Sequence, residues 1–455
     1  MFAGTQLASG LFAKAQTAAE NKADVETLKQ QIQELDQKVR VLERRRENDQ
    51  DDARAAARTR PQVKLDSDGL TLSSADTNFV IGLHGLIQYD SRSFFDTSSG
   101  FKAGSDDFLL RKARPILTGT LFRDFDFNFT PDFGGSSPAI YDAYVNYHYA
   151  PALQVQAGKF KSPVGLELLQ SDRWTFFNER TLANNLVPNR DLGVELHGDW
   201  FGGIASYAAG IFNGAPDYSN PGSGIVNADS DNNPAFVGRL FFQPLKTSGM
   251  EALQGVGFGV GGSYESDRNG VNGLTAGYVT DGQQKFFSYA GGVVADGDHW
   301  RVAPQAYYFY GPAGLLFEYV ISDQRVRNGA GAADLQNTGW EVSAGWVLTG
   351  ESDSYNGLTP KHPFDPRKGQ WGAWQIVARF AELEVDHQAD STTWAAAGSA
   401  LRARGWSAGI NWYLNKNIRV NASYSHTQFG DPVGTAGAVT RQSENVVFTR
   451  IQLAF

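Results

Sequence analysis

"DFDFNFTPDF" runs from Asp124 to Phe133. Phenylalanine stands at 125, 127, 129 and 133, and Asp124, Asp126, Asn128, Thr130 and Asp132 lie between them. A period of two puts successive side chains on opposite faces of a β-strand. In a soluble antiparallel sheet the phenylalanines would pack on a core and the aspartates would meet bulk water. In an outer-membrane barrel the phenylalanines would meet lipid and the aspartates would line a watery lumen. The stretch fits both, so the rest of the chain decides.

The chain has 455 residues, long for one soluble domain. It is rich in aromatic residues (13%), yet its mean hydropathy is only −0.35. No apolar run of about eighteen residues occurs, which excludes a transmembrane helix but not membrane-spanning strands. With no cysteine there can be no disulfide or thiolate metal site, and the chain suits an oxidising compartment. A net charge of −9 argues against a nucleic-acid partner. The first twenty residues lack a basic start and a sustained apolar core, so the chain is expected to be a mature form, with residues 1–19 set apart as an N-terminal segment.

Residues 20–60 carry Val25, Leu28, Ile32, Leu35, Val39 and Leu42 at spacings of three and four. β-Branched residues occupy one seam position and leucine the other, among Lys, Gln, Glu, Asp and Arg. This pattern predicts an α-helical coiled coil rather than a helix packed on its own domain. At ~1.5 Å per residue, about forty helical residues would reach roughly 60 Å. Pro61 ends the helix, and 61–77 reads as a linker.

From residue 78 to the end the period is two. In "FVIGLHGLIQYD" Phe79, Ile81, Leu83, Ile87 and Tyr89 share one face, and His84, Gln88 and Asp90 the other. "YDAYVNYHY" sets Tyr141, Ala143, Val145, Tyr147 and Tyr149 against Asp142, Asn146 and His148. About sixteen such segments fit, an even number that closes a bacterial barrel. Tight connections such as "LFRDFD", "HYAPALQ" and "YLNKN" alternate with long ones at 93–106, 162–189, 214–232, 267–298, 324–337, 386–400 and 430–442. Short turns at one end and long loops at the other are the asymmetry of an outer-membrane barrel. The stretch 350–369 is long where a short turn is due. Aromatics crowd the strand ends (Tyr147, Tyr149, Trp200, Phe201, Trp371, Trp374, Trp406 and Trp412), as interfacial girdles require. The chain ends "NVVFTRIQLAF", with Phe455 on the apolar face, a poor edge for a soluble protein. That ending resembles the C-terminal assembly signal of bacterial outer-membrane proteins. The fold class predicted is an all-β transmembrane barrel of about sixteen antiparallel strands after an N-terminal α-helical coiled coil.

"LLRKARPILTGTLFRDFDFNF", "GKFKSPVGLE" and "ERTLANNL", with their place around a long third loop, resemble the phosphate- and polyphosphate-selective porins of the O/P family. The likeness is densest over 78–215 and continues through "LTGE", "WGAW" and "INWYLN". It implies a homotrimer of sixteen-stranded barrels, a third loop folded into the lumen, and basic residues that guide anions. It also implies that Asp132 matches an acidic residue near the family's constriction. Gln156 stands where phosphate-selective members carry lysine, and Asp126 replaces what is often a basic residue.

Selectivity in a wide pore comes from charged side chains at close quarters. Loop 162–189 holds Arg173, Glu179 and Arg180, with Lys161 and Arg190 at its roots, and its Leu166, Leu168, Leu169, Trp174, Phe176 and Phe177 argue that it packs inward rather than lying as a surface lid. Strand parity adds Arg239, Arg379, Arg419 and Arg450. Arg111, Lys112 and Arg114 cluster on the second strand, and an ideal strand cannot turn all three inward, so one or two belong at a rim or a bulge. Any single arginine has an ordinary alternative, a pair with a wall carboxylate; the set reads as an anion path, because a guanidinium fork suits phosphate. Parity also places Asp124, Asp126, Asp132, Asp142, Glu318 and Glu382 or Glu384 in or near the lumen.

No nucleophile elbow, no Ser and His paired at lipid-facing positions, and no metal-ligand histidine spacing is legible, so neither an enzyme nor a metal or cofactor is expected. The function expected is passive diffusion of small anions such as phosphate or polyphosphate. A general porin, or one for sugars or carboxylates, stays open beside it. The expected partners are outer-membrane lipid, other copies of the chain in a trimer, and small anions. The arm adds peptidoglycan or another envelope component, reached through the periplasm, to which it would tether the membrane.

Overall fold

The computed structural model describes residues 5–95, 104–135, 137–218, 233–267, 274–434 and 442–455. Parts of the predicted loops 93–106, 214–232, 267–298 and 430–442 lie outside these residues. The chain forms two compact units, one helical and one a barrel.

Helix α1 spans Thr5–Thr59 and so begins inside the segment set apart as 1–19. Lys38–Glu34 (3.1 Å) and Arg40–Asp36 (2.9 Å) pair one turn apart along it. Val25, Leu28, Ile32, Leu35, Val39 and Leu42 are all exposed, a seam left uncovered within one chain. Strands β1 (Gln62–Asp66) and β2 (Gly69–Ser73) follow Pro61 directly.

Sixteen strands form the barrel. In chain order they are β3 (Val80–Phe94), β4 (Asp107–Leu121), β5 (Phe125–Asp132), β6 (Ala139–Ala150), β7 (Leu153–Lys161), β8 (Arg190–Trp200), β9 (Ala205–Phe212), β10 (Ala235–Phe242) and β11 (Val256–Asp267). After β12 (Tyr278–Val279) and β13 (Lys285–Phe287), a small hairpin inside one loop, come β14 (Val293–Tyr310), β15 (Ala313–Asn328), β16 (Gly331–Val347), β17 (Ala373–Glu384), β18 (Ala400–Tyr413), β19 (Ile418–Pro432) and β20 (Ser443–Ala454). Each barrel strand pairs antiparallel with the next. β20 closes on β3 from Val446↔Phe94 to Ala454↔Leu86, and Phe455 exchanges two backbone hydrogen bonds with Gly85. β2 continues the same edge of β3 beyond the chain end, from Leu70↔Leu83 to Ser73↔Val80.

The alternation of "DFDFNFTPDF" now has its environment. Phe125 and Phe129 face outward and are exposed, whereas Thr130 and Asp132 face inward and are buried. Val145, Tyr147, Val155, Val194, Leu196, Ile451 and Leu453 extend the apolar exterior. Trp374 stacks on Trp412 (5.0 Å) and Trp200 on Tyr207 (4.5 Å) near the short-turn end. Among the described residues closure leaves the barrel with no free edge, and the ladder pairs backbone polar groups from strand to strand, as a membrane-spanning sheet requires.

Three sequence readings need correction. Stretch 324–337 is not a loop: β15 and β16 meet at Asn328↔Gly331, because Gly329, at φ +58°, makes the tight turn and the alternation of Val326 and Leu335 runs through it. Tyr141 does not share the lipid face of β6. A register shift opposite Thr130/Pro131 turns it inward, where Arg114 and Arg190 stack on its ring at 4.0 and 4.8 Å. Glu382 and Glu384 face outward, the former paired with Arg404, because the inward positions Ala381 and Leu383 are buried under loop 162–189. Where a loop fills the lumen, the inner face becomes the apolar one.

Candidate functional site: the constriction

Loop 162–189 leaves β7 at Lys161, forms a short helix α2 (Leu166–Leu169) and a 3₁₀ turn (Leu182–Leu186), and returns at Arg190. Nearly all of it is buried, so it lies inside the barrel. Its apolar seam sets Leu182, Leu186 and Val187 in one cluster with wall residues Val320, Leu335, Leu383 and Leu401. On β11, Gly261 makes room for it: a Cβ there would stand 2.2 Å from the Val164 carbonyl oxygen.

The second seam is ionic. A β-bulge between Leu110 and Lys112 inserts Arg111 as an extra residue, and all three basic side chains of β4 reach the loop. Arg111 grips Glu179 with two hydrogen bonds, 2.6 and 2.9 Å. Lys112 pairs with Asp172 at 2.8 Å, and Arg114 bridges Asp172 and Asp132. Arg180 meets Asp172 at 2.6 Å and donates to the carbonyls of Glu167, Leu168 and Gln170. Lys161 donates to the Gln170 carbonyl at 2.9 Å. Arg450 holds Asp90 through two bonds (2.6 and 2.7 Å) and the Asn178 carbonyl. Burial pulls the Asp172 and Glu179 carboxyls up, but the cations around them win and hold both below the usual carboxylate range.

The predicted residues thus separate. Arg111, Lys112, Arg114, Lys161, Arg180, Arg450 and Asp132 come together around the loop. Arg379 stands across the lumen, joined to Glu167 (3.4 Å) and to Asp281 (2.7 Å) of the loop before β14. Arg419 reaches the Thr175 carbonyl and Arg173 the Lys416 carbonyl at the short-turn end. Arg239 bonds Gln305 and covers Phe241. Two anchors were missed, Arg92 and Asp172; a third anchor, Glu318, was placed in the lumen by parity. Arg92, 2.8 Å from Glu179, continues the inward row of Gln88 and Asp90 and was legible by counting two residues on. Glu318 accepts the backbone N–H of Leu166 (2.8 Å) and Glu167 (3.3 Å). Asp172 itself has no periodic signal, because it lies in a loop.

Turn 348–372 enters from the other end. Tyr355 Oη donates to the Leu166 carbonyl at 2.6 Å, Gln170 donates to the Tyr355 carbonyl at 2.9 Å, and Tyr355 stacks on Tyr307. Leu358 packs with Val347, Ala373, Tyr413 and Trp174.

One Ser and His do meet, inside the barrel rather than at lipid-facing positions. His299 Nε2 lies 3.0 Å from Ser322 Oγ and its Nδ1 3.2 Å from Glu265. All are buried, and Ser322 donates to Asp217, so the group is a packed polar network with Arg301 at its centre. Among the described residues no cluster of three or more His, Asp or Glu suits a metal.

A closed sixteen-stranded barrel with an aromatic-belted apolar exterior and a charged lumen narrowed by an inward loop is an outer-membrane porin. The family described as "Phosphate-selective porin O and P" matches residues 81–455, and the chain belongs to it. Porin O of Pseudomonas aeruginosa is 25% identical over 389 residues, covering 78% of this chain and 84% of that protein. Among solved structures, the outer-membrane channel DcaP of Acinetobacter baumannii superposes with a TM-score of 0.53 at 11% identity, over 83% of this chain and 98% of that one. An anion-selective porin from Comamonas acidovorans gives 0.51 at 13% identity, over 83% and 100%. These two likenesses are of fold.

Proposed function

We propose that this porin passes small anions by passive diffusion, with phosphate among its substrates. The charge balance at the ionic seam carries the reading. Five arginines (Arg92, Arg111, Arg114, Arg180 and Arg450) stand with four carboxylates (Asp90, Asp132, Asp172 and Glu179), an excess of one positive charge before the buried Lys112 and Lys161 are counted. Arg111 and Arg180 keep 26% and 17% of their side chains exposed, so the excess reaches water. A positive field at a narrow passage raises the local concentration of anions. The description of the family and the anion-selective Comamonas porin support the same reading.

A general small-solute porin is the second reading. Gln154 and Gln156, uncharged and partly exposed on the lumen wall, favour it. Reversal potential across a KCl gradient in a planar bilayer, repeated with phosphate, separates the two. Anion preference with chloride current blocked by phosphate supports the first. Cation preference, or indifference to phosphate, refutes it.

Three copies whose arms pair through the exposed seam of Val25 to Leu42 complete the proposal. An uncovered heptad seam needs partners, and the short-turn end of a porin barrel, at which β3 begins, faces the periplasm. An arm that binds peptidoglycan or another envelope component would tether the membrane. Deleting residues 1–60 would then lower envelope cohesion and leave conductance unchanged; unchanged cohesion refutes the tether.

A further inference from the structure

The lumen wall is covered unevenly. Along β14–β20 loops and turn 348–372 bury most inward side chains. On β5–β8, Asp126, Asn128, His148, Gln154, Gln156 and His197 remain partly exposed, so water follows this side. One register row reads His148↔Gln154↔His197, and the next reads Asp126↔Asn146↔Gln156↔Glu195. His148 Nδ1 lies 2.7 Å from Asp126 Oδ2, and His197 Nε2 lies 3.0 Å from Asn146 Oδ1. Asn146 also donates to Gln154 at 2.8 Å, which joins the two rows.

The ionisable groups facing these histidines are few. Asp124 and Asp126 come from the β5 side, and Glu195 and Asp199 from β8, the latter bonded to Ser206 of β9. β4 offers Thr118 and Thr120, β7 offers Gln154 and Gln156, and Arg123 in turn 122–124 bonds Asn78. With the imidazoles neutral, this half of the passage is acid-lined, in contrast to the basic seam.

We infer that His148 and His197 are specificity-determining residues. Their protonation turns the acid-lined half of the passage into one that admits anions, so anion selectivity rises as pH falls. The inference rests on the anion-conducting reading. Imidazole is the side chain that gains charge between about pH 8 and 5. A unit charge about 10 Å from an ion in water changes its local concentration roughly twofold, so two give roughly two- to fourfold.

The test is reversal potential in a fixed KCl gradient at about pH 7.5 and about pH 5, for the parent and for H148Q/H197Q, each folded and inserted. The parent's chloride-to-potassium permeability ratio is expected to rise roughly four- to sixteenfold on acidification, because each added charge raises chloride and lowers potassium by the same factor, and the double variant's to rise far less. A flat parent, or a double variant that keeps the parent's rise, overturns the inference. Absolute selectivity is read separately: a parent that prefers cations at both values but keeps a histidine-dependent rise refutes the anion function and leaves the histidine role standing.

Discussion

Asp172→Asn tests whether the ionic seam holds the constriction loop. The carboxylate meets Lys112 at 2.8 Å, Arg180 at 2.6 Å and Arg114, and none of these side chains is more than 17% exposed. Removing one partner of a buried ion pair costs about 3–5 kcal/mol, because the other charge is left desolvated and alone. Arg114 retains Asp132, and Arg180 retains three carbonyls, so the low end applies, about 3 kcal/mol. The barrel ladder is untouched, and the cost is relieved if the loop lifts off β4 and lets water in. At about 1.4 kcal/mol per decade, the lifted state becomes roughly a hundredfold more populated. Single-channel recording should show added states of higher conductance, and trypsin should cut faster after Arg173 or Arg180. Traces and cleavage identical to the parent's would refute the idea that this carboxylate pins the loop. The pH dependence has a definite sign. A carboxyl held below its unfolded value near 4 stabilises docking fully above that value and loses its effect as pH falls through the held value. The parent loop therefore stays docked at neutral and mildly acidic pH, where the variant does not.

Turn 348–372 carries the opposite sign. Burial pushes the Asp353 carboxyl up to about 7, against its bonds from Ser354 N–H and Gln375, so its contribution to docking is full below about pH 4 and lost as pH rises past 7. Trypsin should cut this turn at Lys361, Arg367 or Lys368 faster at pH about 8.5 than at about 6, and D353N should abolish the difference; equal rates in the parent would sink the argument. Gly357→Ala should also release the turn, because φ is +85° and a Cβ would stand 2.1 Å from the Trp174 indole. Strain and overpacking together cost about 2 kcal/mol or more, and unchanged trypsin resistance would count against it. Arg301→Ala leaves Asp217 and Glu265 buried without their cation, at about 3–5 kcal/mol, and should lower the temperature at which the folded band is lost on gels, whereas a neutral result would mean the network is not needed for stability.

Strand faces were legible wherever one side met lipid, because lipid demands an unbroken apolar row and a register slip of one residue would reverse it. That rule located Arg239, Arg379, Arg419, Arg450 and Asp132 on the inner wall. It failed where the inner face was not wet. Ala381 and Leu383 are apolar because a loop covers them, so the alternation on β17 reads inverted from Arg379 onward. Bulges were the second obstacle. One extra residue near Tyr141 changes facing locally and is marked by no glycine or proline of its own, whereas the bulge at Arg111 was legible from three basic residues that an ideal strand cannot turn inward together. The third was partnership between loops and wall. Asp172, Asp217 and Asp281 sit in segments without periodicity, and only the fold brings them to Arg114, Arg301 and Arg379.

The two seams of loop 162–189 divide its work. The apolar seam against β15–β18 depends on burial, is insensitive to salt, and fixes where the loop lies. The ionic seam against β3, β4 and β20 borders water and carries the charge excess. An anion that enters there meets cations already held by Asp172 and Glu179 and must compete with them, so each contact it gains displaces part of one the loop has. Arginines in excess of the carboxylates attract it, and the carboxylates prevent it from being captured. Weak, replaceable contacts of this kind suit conduction, which needs binding favourable enough to enter and slight enough to leave. Tightening the seam by removing carboxylates would therefore trade flux for affinity, and the loop would come loose in the process.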